Sequence, residues 1–199
     1  MFNAEAWKRP AGALCRGCIP LKTAKAFAIG DDVVYPGSGV GTISREETLS
    51  VDGAEQRFHV IAMREGRVTL RVPFGRPDLR PLSTEAVVAK AMAVIAERPR
   101  KLVGIWSRRG REYEQRIASG DLIQIAQALR DLNVIGRGDV ASYSERALHD
   151  VAIRRLVDEI AAVRGKDPVA VEAEVIAALR AGGAKARAAG ADLEDGEDE

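Results

Sequence analysis

The sequence predicts an α+β fold in two parts, a small β-barrel followed by an all-helical domain. Glycine and proline turns separate short alternating runs between Phe27 and Pro73, a spacing typical of a small barrel of short strands. After Pro81 the apolar residues recur every three or four positions, which is the period of amphipathic helices. With 199 residues, 46% of them hydrophobic, the chain is long enough for one large domain or two small ones.

The first predicted part covers residues 26–81. Turn signals at Pro36–Gly39, Asp52–Gly53 and Glu65–Gly66 separate its strands. The last long strand is the run 67–72, in which inward and outward residues alternate. We expect Val68, Leu70 and Val72 to face inward, and Arg67, Thr69 and Arg71 to face outward. Small barrels usually serve as interaction modules, because their edge strands and loops stay free for partners.

The second predicted part covers residues 82–182 and contains the helices. Ser142 with Glu145 forms a capping box before the longest helix. Pro168 opens the last helix, and Gly182–Gly183 is expected to end it. The predicted inward face of that helix is Val169, Ala173, Ile176 and Leu179. Residues 183–199 are predicted to be a disordered acidic tail, because they cannot bury enough apolar surface to offset the entropy of ordering.

Residues 1–25 are predicted to be an irregular extension, and the sequence leaves its role open. Cys15 and Cys18 form a CxxC pair, but a zinc site needs two more ligands, and His59 and His149 are distant and unpatterned. We therefore expect two free thiols and no metal site. No apolar stretch reaches the roughly 18 residues that a membrane span needs, so the cytoplasm is the default expectation.

No group of residues predicts catalysis. The two histidines lie near no recognisable nucleophile, and no pair of carboxylates shares a predicted face. The glycine-rich run Gly37–Gly41 lacks the lysine and the helix that a phosphate-binding loop requires. We expect no catalytic residue, no enzymatic activity and no cofactor.

The most basic window of the chain surrounds Trp106, with Arg108, Arg109 and Arg111 directly after it. An aromatic ring with flanking arginines suits nucleic acid, since the ring can stack or wedge against bases while the guanidinium groups pair with phosphates. A tryptophan of this kind is also common as a core anchor on a solvated basic helix. The residues alone leave both interpretations open.

Four motifs together resemble the CarD/CdnL family of bacterial transcription regulators. They are Phe27–Gly41 (FAIGDDVVYPGSGVG), Leu70–Pro73, Trp106–Arg109 and Ala118–Asp121. Their order and spacing agree with the family from Phe27 to Ala181. The resemblance implies a Tudor-like, SH3-like barrel that binds RNA polymerase, followed by a helical DNA-binding domain.

The resemblance also implies roles for individual residues. Trp106 falls on the family's tryptophan, which enters the minor groove at the upstream fork of the transcription bubble, and the basic neighbours expected on DNA are Arg108, Arg109 and Arg111. Many members have an aromatic residue where this chain has Gly110. The polymerase-binding set implied for the barrel is Arg71, Pro73, Leu49 and Val51, with Leu49 standing where some members have arginine.

The expected function is that of a non-enzymatic transcription regulator. By resemblance, the barrel binds the polymerase β subunit and the helical domain stabilises the open promoter complex, in a monomer associated with the nucleoid in the cytoplasm. Two alternatives stay open: a protein-interaction adaptor without DNA contact, and a repressor that reads a base sequence.

Overall fold

A computed structural model describes residues 27–51, 54–64, 68–100, 105–132 and 142–194, and it confirms the predicted α+β class. The strands are β1 (Asp32–Tyr35), β2 (Gly39–Val51), β3 (Ala54–Met63), β4 (Thr69–Pro73) and β5 (Arg80–Pro81). The helices are α1 (Glu85–Ile95), α2 (Trp106–Ala118), α3 (Leu122–Leu132), α4 (Tyr143–Arg164) and α5 (Pro168–Glu194). The extension that carries Cys15 and Cys18 lies outside the described residues, as do residues 101–104 and 195–199.

The strands form one antiparallel sheet in the order β4-β3-β2-β1-β5. The sheet is not closed, which corrects the expected barrel. Closure needs a ladder between the two outer strands, but β4 pairs with β3 and the two-residue β5 pairs with β1. Beyond Ile43 the described part of β2 pairs with β3 alone, because β1 ends its ladder at Thr42.

One face of the sheet carries a small apolar core. Its buried members are Val33, Ile43, Ile61, Met63, Val72 and Leu79. The alternation predicted for the run 67–72 is confirmed for Val72, which is buried, and for Thr69 and Arg71, which are exposed. It is wrong for Val68, which lies just before β4 with its side chain exposed. The alternating apolar pattern of the sequence therefore begins one residue before the strand, at a position where the side chain is exposed.

The helices enclose a larger core built from one stripe of each helix. Among its buried members are Val88, Ile95, Tyr113, Ile117, Leu122, Ile125, Leu129, Leu132, Leu156, Ile160, Val171 and Val175. The predicted capping box is confirmed: the Glu145 backbone N–H donates to Ser142 Oγ at 3.2 Å, and the Ser142 N–H donates to Glu145 Oε2 at 2.9 Å. Such a box stabilises a helix start by about 1 kcal/mol.

The last helix differs from its prediction in two respects. Its buried stripe contains Val171, Val175 and Leu179, whereas Val169 is exposed, because the many alanines gave the apolar pattern little contrast. It also continues to Glu194, so Gly182–Gly183 do not end it as expected.

Gly182 serves close packing and does not end the helix. A Cβ atom at Gly182 would lie 2.5 Å from the carbonyl oxygen of Glu97 and 3.0 Å from that of Ile95. One turn later, the Lys185 ammonium donates to the carbonyl oxygen of Ala96 at 2.9 Å. A glycine permits this approach of α5 to the end of α1, and the lysine satisfies a helix-terminal carbonyl that would otherwise lack a donor.

A buried ion pair joins the sheet to the helices. Glu159 of α4, only 2% exposed, receives Arg80 of β5 in a two-point contact, Nη1 to Oε1 at 2.7 Å and Nη2 to Oε2 at 2.8 Å. Oε1 also accepts from the Ser83 backbone N–H at 3.1 Å and from Ser83 Oγ at 2.7 Å. Arg80 Nε donates to the carbonyl oxygen of Gly120, between α2 and α3, at 2.9 Å. We refer to this set of contacts as the junction.

A second arginine crosses the same boundary. Arg155 of α4 donates to the carbonyl oxygen of Gly37, in the turn between β1 and β2, and to that of Ile117 in α2 at 3.0 Å. The buried side chains of Val34 and Val40 line the adjoining space between the sheet and these helices. Polar and apolar contacts together hold the two parts in one orientation.

Candidate DNA and polymerase interfaces

The basic window lies at the start of α2, where a helix offers free backbone N–H groups. The helix begins at Trp106, and its N-cap residue Ile105 has no side chain that accepts a hydrogen bond. The buried face of α2 carries Gly110, Tyr113 and Ile117. An uncapped helix start favours anions, because its N–H groups and the helix dipole both present positive charge.

Trp106 is half-buried and packs against its own helix. Its six-membered ring approaches Gly110 so closely that a Cβ atom there would lie 3.6 Å from it. The Tyr113 ring centroid is 6.4 Å away at 40°, and the Arg109 guanidinium lies 5.6 Å from the indole. Part of the ring therefore packs against the helical core, while part of it faces outward.

The predicted arginines separate into two groups. Arg108 and Arg111 are exposed, and no carboxylate among the described residues lies within ion-pair distance of either. Arg109 is half-buried beside the indole, and its buried Nε has no hydrogen-bond partner in the described part of the chain. Arg116, also in the basic window, pairs with Glu112 and Asp131. Two of the four predicted DNA-binding residues therefore present uncompensated charge to solvent.

A buried cluster that the sequence did not reveal holds the backbone after α1, at Arg100, against α3. Asp131 of α3 accepts from the Arg100 backbone N–H at 3.1 Å and from Arg130 Nε at 2.7 Å. Arg130, itself buried, also donates to Glu97 at 2.7 Å. The contacts tie the end of α1 and the start of the following segment to α3. In a sequence, an arginine next to an aspartate is typical of an exposed, charged surface. Only the structure shows that both side chains are buried here.

A groove separates α2 from the start of α4. Its volume is about 490 Å³, and the residues that shape it include Trp106, Gly110, Arg111 and Glu114 on α2 with Tyr143 and Leu148 on α4. We call it the α2–α4 groove. Tyr143 was also missed in the sequence, although a tyrosine directly after the Ser142 cap had to lie on the first turn of a helix.

The four predicted polymerase-binding residues share one face of the sheet. Arg45 lies opposite Val60, which lies opposite Arg71, and Phe58 is the partner of both Glu47 and Pro73. Because paired residues of adjacent strands project to the same side and alternate residues of a strand do likewise, Leu49 and Val51 follow Arg45 and Glu47 on that face. Leu49 and Val51 are both exposed, and Pro73 is half-buried. We call this the distal sheet face.

Charge on the distal sheet face is partly compensated. Arg71 Nε donates to Glu47 Oε2 at 2.9 Å, and Arg45 Nε donates to Glu47 Oε1 at 2.8 Å. The hydrogen bonds from Arg71 and then Arg45 hold the pKa of the Glu47 carboxyl below its ordinary value of 4.5. Two arginines share one carboxylate, so the cluster keeps a net positive charge beside the apolar Leu49.

Comparisons with known proteins agree with this two-part arrangement. Residues 27–84 match the family model of the CarD-like/TRCF RID domain, and residues 90–176 match that of the CarD C-terminal domain. The chain is 25% identical over 142 residues to the Bacillus subtilis (strain 168) protein named "Putative transcription factor YdeB", covering 70% of this chain and 93% of the relative. Within the described residues, no helix is long and apolar enough to cross a bilayer.

Proposed function

The chain belongs to the CarD/CdnL family of transcription regulators, and from that premise we propose that it binds RNA polymerase and promoter DNA at the same time. The distal sheet face binds the β subunit. The start of α2 binds duplex DNA at the upstream edge of the bubble and stabilises the open promoter complex. The protein acts as a monomer on the nucleoid, in the cytoplasm, and carries out no chemistry itself.

One observation carries the DNA part of the proposal. Arg108 and Arg111 pair with no carboxylate of the described residues, and they lie beside a partly exposed indole at an uncapped helix start. Phosphates satisfy both the guanidinium groups and the backbone N–H groups. An indole edge can then wedge at a base step that is already opening, without reading a base sequence. The arrangement favours fork recognition over the reading of a fixed site.

The distal sheet face supports the polymerase part. Arg71 stays accessible although Glu47 binds it, and Leu49 and Val51 provide exposed apolar area on the same face. A charged group surrounded by apolar contacts is a common arrangement in protein interfaces. The match of residues 27–84 to a domain type shared with TRCF proteins supports this assignment.

The polymerase contact can be tested by reversing one charge. Arg71→Glu should weaken binding to the isolated β subunit by about 1–3 kcal/mol, because it removes a charge-assisted contact and places a second carboxylate beside Glu47. Arg76→Glu is the matched control, since Arg76 is exposed in the same part of the chain and pairs with Asp78 at 3.5 Å. Equal β binding by Arg71→Glu and Arg76→Glu would remove Arg71 from the interface.

The DNA contact can be tested at Trp106. Trp106→Ala should shorten the half-life of the open promoter complex while β binding persists, and Trp106→Phe should restore part of that half-life. Because the ring is half-buried, we expect a stability loss of roughly 1–3 kcal/mol, below the ~3–5 kcal/mol typical of a fully buried tryptophan. Measurements are therefore made well below the melting temperature of each variant. An unchanged half-life would favour the adaptor alternative, in which the ring is only an anchor.

A further inference from the structure

Tyr143 is exposed in a way that its position in the fold does not require. It is the first residue of α4, and 86% of its surface is accessible, the highest value among the exposed large apolar side chains of the described residues. The neighbouring Ser142 and Glu145 already cap the helix. Neither capping nor core packing therefore accounts for an aromatic ring at this point, and large exposed aromatic rings often mark binding surfaces.

This ring and the indole both line the α2–α4 groove, one from each helix. Trp106 and Tyr143 both line it, Arg111 lies at its side, and Glu114 adds a carboxylate. Its volume of about 490 Å³ is in the range of sites for small organic groups. Aromatic walls suit a flat π-system, the guanidinium suits a phosphate, and a carboxylate accepts hydrogen bonds from an exocyclic amino group such as that of cytosine.

We propose that the α2–α4 groove binds one unpaired nucleotide of the opened promoter strand, with the base between Trp106 and Tyr143. Arg111 pairs with the adjacent phosphate, and Glu114 favours a base that carries an amino group. A paired base cannot enter, because both of its faces are stacked against neighbouring base pairs in the duplex. The proposal rests on the proposed function and deepens it, by adding a single-strand site to the fork contact.

Binding of a short oligonucleotide tests the site in the full-length protein. The chain has two tryptophans, so a Trp7→Phe background leaves Trp106 as the only indole reporter. A single strand should quench the Trp106 emission, because a stacked base lies against the ring. Tyr143→Ala should reduce single-strand affinity roughly fivefold or more, as expected for the loss of one stacking partner, and Tyr143→Phe should retain it. Affinity for the matched duplex should stay the same in all three proteins.

A matched control separates the site from a general effect of trimming a helix start. Val169→Ala removes an exposed apolar side chain from the first turn of α5 and should leave single-strand affinity unchanged. Glu114→Gln should reduce the preference of the wild-type protein for cytosine over thymine oligonucleotides. An absence of that preference in the wild type would overturn the role given to Glu114.

The outcomes also distinguish this site from the proposed function. If the wild-type protein binds forked promoter DNA but Tyr143→Ala binds single strands equally well, the nucleotide site is wrong and the proposed function stands. If the wild-type protein binds no forked DNA, the proposed function itself fails. Loss of polymerase binding by Tyr143→Ala, with oligonucleotide affinity intact, would overturn the nucleotide site in favour of a protein contact at the groove.

Discussion

Replacing Glu159 with glutamine should destabilise the whole chain, because this carboxylate is the buried centre of the junction. It accepts two hydrogen bonds from Arg80 and two from Ser83. Glutamine keeps the shape and one acceptor oxygen. It presents an amide NH₂ where the second carboxylate oxygen was, so a donor then faces the guanidinium and the arginine charge loses its counterion.

The expected size follows from the burial of the two partners. Breaking a buried ion pair by removing one charge typically costs about 3–5 kcal/mol, because the other charge stays behind without compensation. Arg80 is 28% exposed, and it keeps the carbonyl oxygen of Gly120 as an acceptor. Water and that carbonyl offset part of the loss, so we expect about 2–4 kcal/mol, or a fall in melting temperature of roughly 4–16 °C for a chain of this size.

Urea unfolding followed by circular dichroism measures this change. Glu85→Gln is the control, since Glu85 pairs with Arg164 at 2.8 Å but is 59% exposed, and exposed pairs contribute less than about 1 kcal/mol. A double-mutant cycle with Arg80→Ala should show a coupling energy above about 1 kcal/mol. If Glu159→Gln and Glu85→Gln cost the same, the junction contributes no more than a surface pair and this reasoning is wrong.

Three further predictions concern single residues. Burial lowers the pKa of the His59 imidazole below its ordinary value of 6.5. As the pH falls, His59 therefore takes up a proton in the unfolded chain before it does so in the folded chain, and stability should fall as the pH drops below about 6.5. Unfolding experiments from pH 7 to 5 measure this, and His59→Phe should flatten the profile, whereas an identical slope would assign the effect to other groups. Gly110→Ala should raise the free energy of unfolding by about 0.5–1 kcal/mol in thermal melts, because alanine favours a helix more than glycine does. The added methyl group would make an ordinary van der Waals contact with Trp106. A destabilised variant would show that the indole needs more room. Arg108→Ala and Arg111→Ala should each lower the affinity for forked DNA by a similar factor whatever its sequence. Titrations at several salt concentrations should show that each variant reduces the slope of log affinity against log salt concentration by roughly one. Loss of affinity at one sequence only would favour base readout.

Local patterns predicted most of the elements because each signal acts over a few residues. The Ser142–Glu145 box and the proline at the start of α5 act within one helical turn, and both predictions are confirmed. Gly182 shows where such signals stop being sufficient. A glycine near a helix end reads as a terminator, yet here it admits the carbonyl oxygens of α1, a contact between residues about 85 positions apart that no local pattern contains.

The sequence predicted which residue types form the candidate sites, but not how far each side chain is buried or which residues it pairs with. A tryptophan among arginines indicates an aromatic and basic surface, but its half-burial depends on Gly110 and Tyr113 lying under the ring. Arg71 was expected to face outward and does, whereas the carboxylate shared with Arg45 is visible only in the register of the strands. Tyr143 lies 37 positions from Trp106, so their common groove depends on how α2 and α4 pack.

The junction also determines where along the DNA the protein could act. Arg80 and Glu159 hold the distal sheet face and the start of α2 on one body, so the distance between the proposed polymerase and DNA contacts is set by the fold rather than by a flexible linker. A polymerase bound at one end then allows the other end to reach the duplex at a single offset from the enzyme. The protein would select its DNA by position relative to the polymerase, and promoters of unrelated sequence would present the same target.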